Sequence, residues 1–90
     1  MKGTHIYQTR RIYETCLSDW NFYVEIIRAL SKFLTFDWGN TCESDKRLND
    51  RAVKYGNERI VAKYNTSKGD IFIITETDCT TSTILFANEY

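Results

Sequence analysis

Proline is missing from the chain, histidine occurs once, and 12 basic side chains are balanced by 12 acidic ones in 90 residues. Each scarcity excludes something. Without proline there is no cis-proline turn and no stiff proline-rich linker. Four glycines and no proline are too few for a disordered or low-complexity chain. A net charge of zero argues against a dedicated nucleic-acid binder, which needs clustered positive charge. No apolar run approaches the roughly 18 residues of a membrane span. The first residues lack the apolar core of a secretory signal, so a cytoplasmic location is expected. Three cysteines, Cys16, Cys42 and Cys79, are odd in number and widely spaced, so they read as reduced thiols rather than a disulfide framework.

What the chain does hold is a high share of aromatic residues, 14%. At this length one domain is expected, burying only about 60–65% of its unfolded surface, and large rings help a small core. Thr4 to Thr9 alternates weakly and suggests a short edge strand. Arg10 to Leu17 turns helical, with Ile12, Tyr13, Cys16 and Leu17 at helical spacing. Ser18 is placed to cap the next helix, with Asp19 in its first turn. That helix, about 19–34, carries Trp20, Tyr23, Val24, Ile27, Leu30 and Leu34 along one stripe, widened by Phe22, Ile26 and Phe33. So broad an apolar surface implies a helix covered on two sides, by the sheet and by a second helix. A partner's groove is the other reading.

Asp37 to Asp45 follows as a turn. Gly39 is placed to break the helix, Trp38 to anchor the turn in the core, and Thr41 to cap a third helix over about 42–55. Glu43/Arg47 and Lys46/Asp50 are spaced as i, i+4 pairs, and Gly56 suits the helix end. Three strands then form a meander: 58–64, a turn at 65–69, the doubly apolar 70–76, a turn at Asp78-Cys79-Thr80, and 81–86. The expected fold is α+β, with two to three helices on one face of a three- to four-stranded antiparallel sheet.

Catalytic chemistry is thin. His5 is alone near the N-terminus, and the three cysteines match no zinc-ligand spacing. Asp37, Glu43 and Asp45 could offer oxygen ligands, but they miss the EF-hand spacing and read better as helix-end charges. Cys42 sits where a helix start would lower its pKa, yet Glu43 and Asp45 oppose that and no base is adjacent. No phosphate loop or Ser/His/Asp arrangement occurs. A non-enzyme without metal or cofactor is therefore expected.

The charge is uneven. Lys46 to Lys68 holds seven bases against two acids, and Asp70 to Tyr90 holds four acids and no base. Either the two halves neutralise each other across the fold, or they polarise a docking surface. For docking, the candidates are an acidic edge (Glu43, Asp45, Asp70, Glu76, Asp78, Glu89) and a basic stripe (Arg47, Arg51, Lys54, with Arg59 and Lys63).

The run Asp37-Trp38-Gly39-Asn40-Thr41-Cys42-Glu43, followed by Asp45-Lys46, Leu48-Asn49-Asp50, Gly56, Arg59-Ile60 and Ala62-x-Tyr64, forms half of a pattern. Ile71-x-Ile73-Ile74-Thr75-Glu76-x-Asp78, Thr83-Ile84-Leu85-Phe86 and Glu89-Tyr90 form the rest. Over roughly residues 18–90 this resembles the small plasmid-related proteins of Gram-positive mobile elements, meaning plasmids, conjugative transposons and phages. Asn40 stands where those relatives often carry Asp. The resemblance implies an accessory factor with no catalytic residues. By analogy such factors block a host defence protein or ribonucleoprotein complex, as anti-CRISPR and antirestriction proteins do. On that expectation the acidic edge occupies a nucleic-acid channel. The alternative is a regulatory accessory protein that binds DNA or RNA through the basic stripe. A monomer or weak homodimer fits either, and no membrane is involved.

Overall fold

The computed structural model describes residues 5–56, 58–77 and 81–90. In chain order these form β1 (His5–Gln8), α1 (Arg10–Ser18), α2 (Trp20–Leu34), α3 (Glu43–Tyr55), β2 (Ile60–Tyr64), β3 (Ile71–Thr75) and β4 (Thr81–Phe86), closed by a 3-10 turn at Ala87–Glu89. The fold is α+β. The sheet runs β1-β4-β3-β2, with β2–β3 and β3–β4 antiparallel as a meander requires. β1 corrects the expectation of a purely antiparallel sheet: it lies parallel to β4, His5 opposite Thr81, so the sheet is mixed. No hairpin joins β1 to a neighbour. The chain reaches β4 only after passing the three helices, a long crossover of the kind that permits a parallel pair.

Alternation sets the core. Ile60, Ala62 and Tyr64 of β2 face inward with Ile71 and Ile73 of β3 and Ile84 and Phe86 of β4. Against them pack Ile12 of α1, Phe22, Ile26, Ala29 and Phe33 of α2, and Ala52 of α3. Phe22 and Phe86 stack with centroids 5.5 Å apart. The Thr75 and Ser82 hydroxyls bond each other at 2.8 Å on neighbouring strands, so these polar groups are buried in a satisfied state.

Three expectations about the helix ends are revised. Asp19, not Ser18, caps α2: its carboxylate accepts from the Phe22 N–H at 3.1 Å. The helix stops before Gly39, because Thr35 closes it and Phe36 turns into the left-handed region at φ 66°. Cys42 occupies the N-cap position of α3 without a side-chain capping bond, since Thr41 is used elsewhere. Gly56 ends α3 in the left-handed region at φ 71°, as expected.

Thr41 and its neighbours serve the outer edge of β2. Buried Thr41 donates its hydroxyl proton to the Trp38 carbonyl and accepts the Lys63 N–H at 2.8 Å. Asn40 donates its N–H to the Lys63 carbonyl at 2.9 Å and accepts the Asn65 N–H on its side chain at 2.9 Å. From α3, buried Asn49 takes both outward groups of Val61, accepting its N–H at 3.2 Å and donating to its carbonyl at 2.8 Å. Trp38, buried as expected, fixes the turn: its indole N–H donates to Asp50 at 2.8 Å and its ring meets Phe33 edge-on. Gly39 is needed here because a Cβ would sit 2.3 Å from Tyr64 Cδ1, at a backbone φ of 60°. The Tyr64 hydroxyl donates to the Asp37 carbonyl at 2.7 Å, and burial, with Asp37 nearby, pushes its pKa well up.

Candidate interaction surface

Helix α2 is apolar around half its circumference. Phe22, Ile26, Ala29 and Phe33 are buried against the sheet. Trp20, Tyr23, Ile27 and Leu34 repeat at the same helical spacing but are exposed, 73% for Trp20 and 44% for Ile27. At 3.6 residues per turn the two stripes lie about 120° apart. Of the two expectations for this wide stripe, coverage on both sides is not met: the second stripe is open to solvent. Both stripes have helical period, and periodicity alone does not say which one meets the sheet. The phenylalanine-rich stripe, with small Ala29 at close approach, is the one that does. The charged residues Glu25, Arg28 and Lys32 fill the third face.

The exposed stripe overhangs β1. A groove of about 250 Å³ runs between them, lined by Ile6, Tyr7, Cys16, Tyr23, Ile27 and Leu30. Trp20 extends the surface through its contact with Tyr23, ring centroids 5.3 Å apart. Among the described residues no charged side chain lines this groove. Cys16 is half-buried in it, and burial raises its thiol pKa, which disfavours the reactive thiolate. All four residues of β1 are exposed.

A second, polar groove lies on the opposite flank of α2, beneath the β2–β3 turn. Glu25 clamps that turn by accepting the N–H and hydroxyl of Ser67. Lys68 pairs with Asp19 at 3.2 Å. The Phe22 N–H and this lysine together hold the Asp19 carboxyl below its usual pKa.

The acidic candidates fall in several places. Glu43 and Asp45 are exposed in the first turn of α3, with Glu43 3.6 Å from Lys46 rather than paired with Arg47. Asp50, expected to pair with Lys46, instead receives the Trp38 indole. Asp70 and Glu76 flank β3 on the helix-free face, and each meets a base across the β2–β3 pair: Lys63–Asp70 at 4.0 Å and Arg59–Glu76 at 3.5 Å. Glu89 accepts the Thr9 hydroxyl and the Phe86 N–H, both at 2.9 Å. Asp78 and Cys79 lie outside the described residues.

The basic candidates split likewise. Arg47, Arg51 and Lys54 are exposed along α3, with Arg51 3.7 Å from Glu58. Arg59 also donates to the Tyr90 hydroxyl at 2.9 Å and lies over its ring. The strand bases are thus engaged by the acidic half of the chain, while the helix bases face solvent.

His5 on β1 and Cys42 beside β2 stand at opposite edges of the sheet, so they cannot form a nucleophile–base pair. Among the described residues no three His, Cys, Asp or Glu side chains gather as a metal site, and no helix is long and apolar enough to cross a membrane. No protein-family model, curated protein or solved structure matches the chain.

Proposed function

We propose that this protein is a non-catalytic binding module whose association surface is the outer stripe of α2 and β1. The observation that carries this is the uncovered stripe Trp20, Tyr23, Ile27 and Leu34, beside a groove that no charged side chain of the described residues lines. Exposed apolar surface of this extent on a small chain marks an interaction site. The resemblance to mobile-element proteins supplies the setting, in which the module inhibits a host defence complex of the CRISPR or restriction type. Phage plaquing or plasmid transformation in cells carrying defined CRISPR or restriction systems tests this. Expression of the wild type restores plaques or transformants in at least one system, and Ile27→Glu does not. Absence of protection in every system overturns the inhibitory role.

A second reading rests on Arg47, Arg51 and Lys54, exposed at i, i+4 and i+7 on α3. They would bind nucleic-acid backbone with a steep salt dependence. Retention in a low-salt gel shift that is lost in Arg47→Glu/Arg51→Glu supports it, and no retention removes it.

A further inference from the structure

We infer that the occupant of the α2/β1 surface is a second copy of this chain, joined through β1 in an antiparallel pair across a two-fold axis. This rests on reading that surface as a docking site. The backbone comes first. Thr9 donates its N–H to the Ile84 carbonyl at 3.0 Å, and alternation along a parallel ladder turns Tyr7 and His5 toward β4 as well. Ile6 and Gln8 therefore direct their N–H and C=O groups away from the sheet, and among the described residues nothing pairs with them.

Exposed strand edges are usually blunted by lysine, proline, a bulge or a covering segment. β2 is covered at every outward group by Asn49, Thr41 and Asn40. β1, His5-Ile6-Tyr7-Gln8, carries no lysine and no proline. One edge is closed by dedicated side chains, and the other stands open beside the apolar groove.

Three features favour a copy of the same chain. Antiparallel pairing of one strand with itself is self-complementary, so a single surface serves both partners. The formal net charge is zero and the described residues place no charge in the groove, so two copies meet there without repulsion. The area also fits. At their observed exposures Ile6, Trp20, Tyr23, Ile27 and Leu34 offer on the order of 550 Å² of mostly apolar surface on the α2 side of the sheet, the larger part of the roughly 800 Å² each partner gives a standard interface. Pairing β1 with its copy joins the two sheets and brings the two overhanging α2 stripes together above the seam.

Analytical ultracentrifugation of the full chain tests the inference, together with amide hydrogen exchange at several concentrations. The wild type is expected to sediment at twice 10.6 kDa at about 100 µM. Exchange at the Ile6 and Gln8 amides slows as concentration rises. Gln8→Pro removes an outward donor without touching the β4 ladder, and Ile27→Glu places charge in the seam. Each is expected to be monomeric with an unchanged circular-dichroism spectrum. A monomeric wild type at that concentration overturns the inference, as does a dimer that persists in both variants. A monomeric wild type whose protection against a defence system is still lost in Ile27→Glu leaves the docking site standing and excludes the second copy as its occupant.

Discussion

Along the outer edge of β2 the backbone groups of Val61 and Lys63 and the N–H of Asn65 all meet partners, supplied by Asn49, Thr41 and Asn40. Along the outer edge of β1, the groups of Ile6 and Gln8 meet none among the described residues. The two strands are the opposite margins of one sheet. The difference lies in what flanks each. Trp38 to Asn49 holds a tight turn and the first half of a helix whose polar side chains substitute for a fifth strand. Gly39 even forms an isolated parallel bridge to Lys63. Beside β1 stand apolar side chains, which cannot satisfy backbone groups but can bury a partner. One margin is built to be finished within the chain, and the other is suited to association.

The sharpest way to break this contrast is to remove the anchor of the closed side. Trp38 is 3% exposed and packs against Phe33 and Phe36. Trp38→Ala is expected to cost about 3–5 kcal/mol, the range for deleting a buried large aromatic. Urea titration measures that loss, and amide exchange at Lys63 rises with it as the turn detaches. Unchanged unfolding would mean that the turn does not hold the edge.

A smaller and more local break is Asn49→Ala. It leaves both outward groups of Val61 without their partner, and an unsatisfied buried group costs about 1–3 kcal/mol. Denaturant unfolding reads the loss. Val61 exchange is expected to speed up while Ile6 exchange stays as it was. Equal effects at the two edges would contradict the assignment of Asn49 to β2 alone.

How much of this could be read in the residues follows from how local each cause is. The order of helices and strands, the alternation of Ile60, Ala62 and Tyr64, the burial of Trp38 and the helix stop at Gly56 are set by neighbours in sequence. So is the Asp37 carboxylate bonding the Gly39 N–H at 3.0 Å within the turn. The neutralising alternative for the two charge-biased halves also has its counterpart, in Lys63–Asp70 and Arg59–Glu76. The parallel placement of β1 was not legible, because its partner β4 lies more than seventy residues away. Thr41 is ambiguous in sequence, because a hydroxyl suited to a helix cap is equally suited to a strand edge. On α2, two overlapping stripes shared one period, and only tertiary packing separates the covered one from the exposed one that now forms the candidate surface.

The smallest expected effect concerns how the closed side extends to the β2–β3 turn. Asp19 both caps α2 and pairs with Lys68 at the tip of that turn. Its carboxyl is held below the usual aspartate value, first by the Phe22 N–H and then by Lys68. A depressed carboxylate pKa adds stability above the unfolded pKa and loses it as pH falls through the folded value. Asparagine caps a helix about as well as aspartate, so Asp19→Asn keeps the cap and removes only the charge. At neutral pH the variant should be slightly less stable than the wild type. Thermal unfolding from pH 7 down to about pH 2 should then show the gap closing below roughly pH 4, as Asp19 protonates in the wild type. A gap that stays constant across that range would show that it does not arise from the Asp19 charge, and would free the turn from any ionic tie to α2.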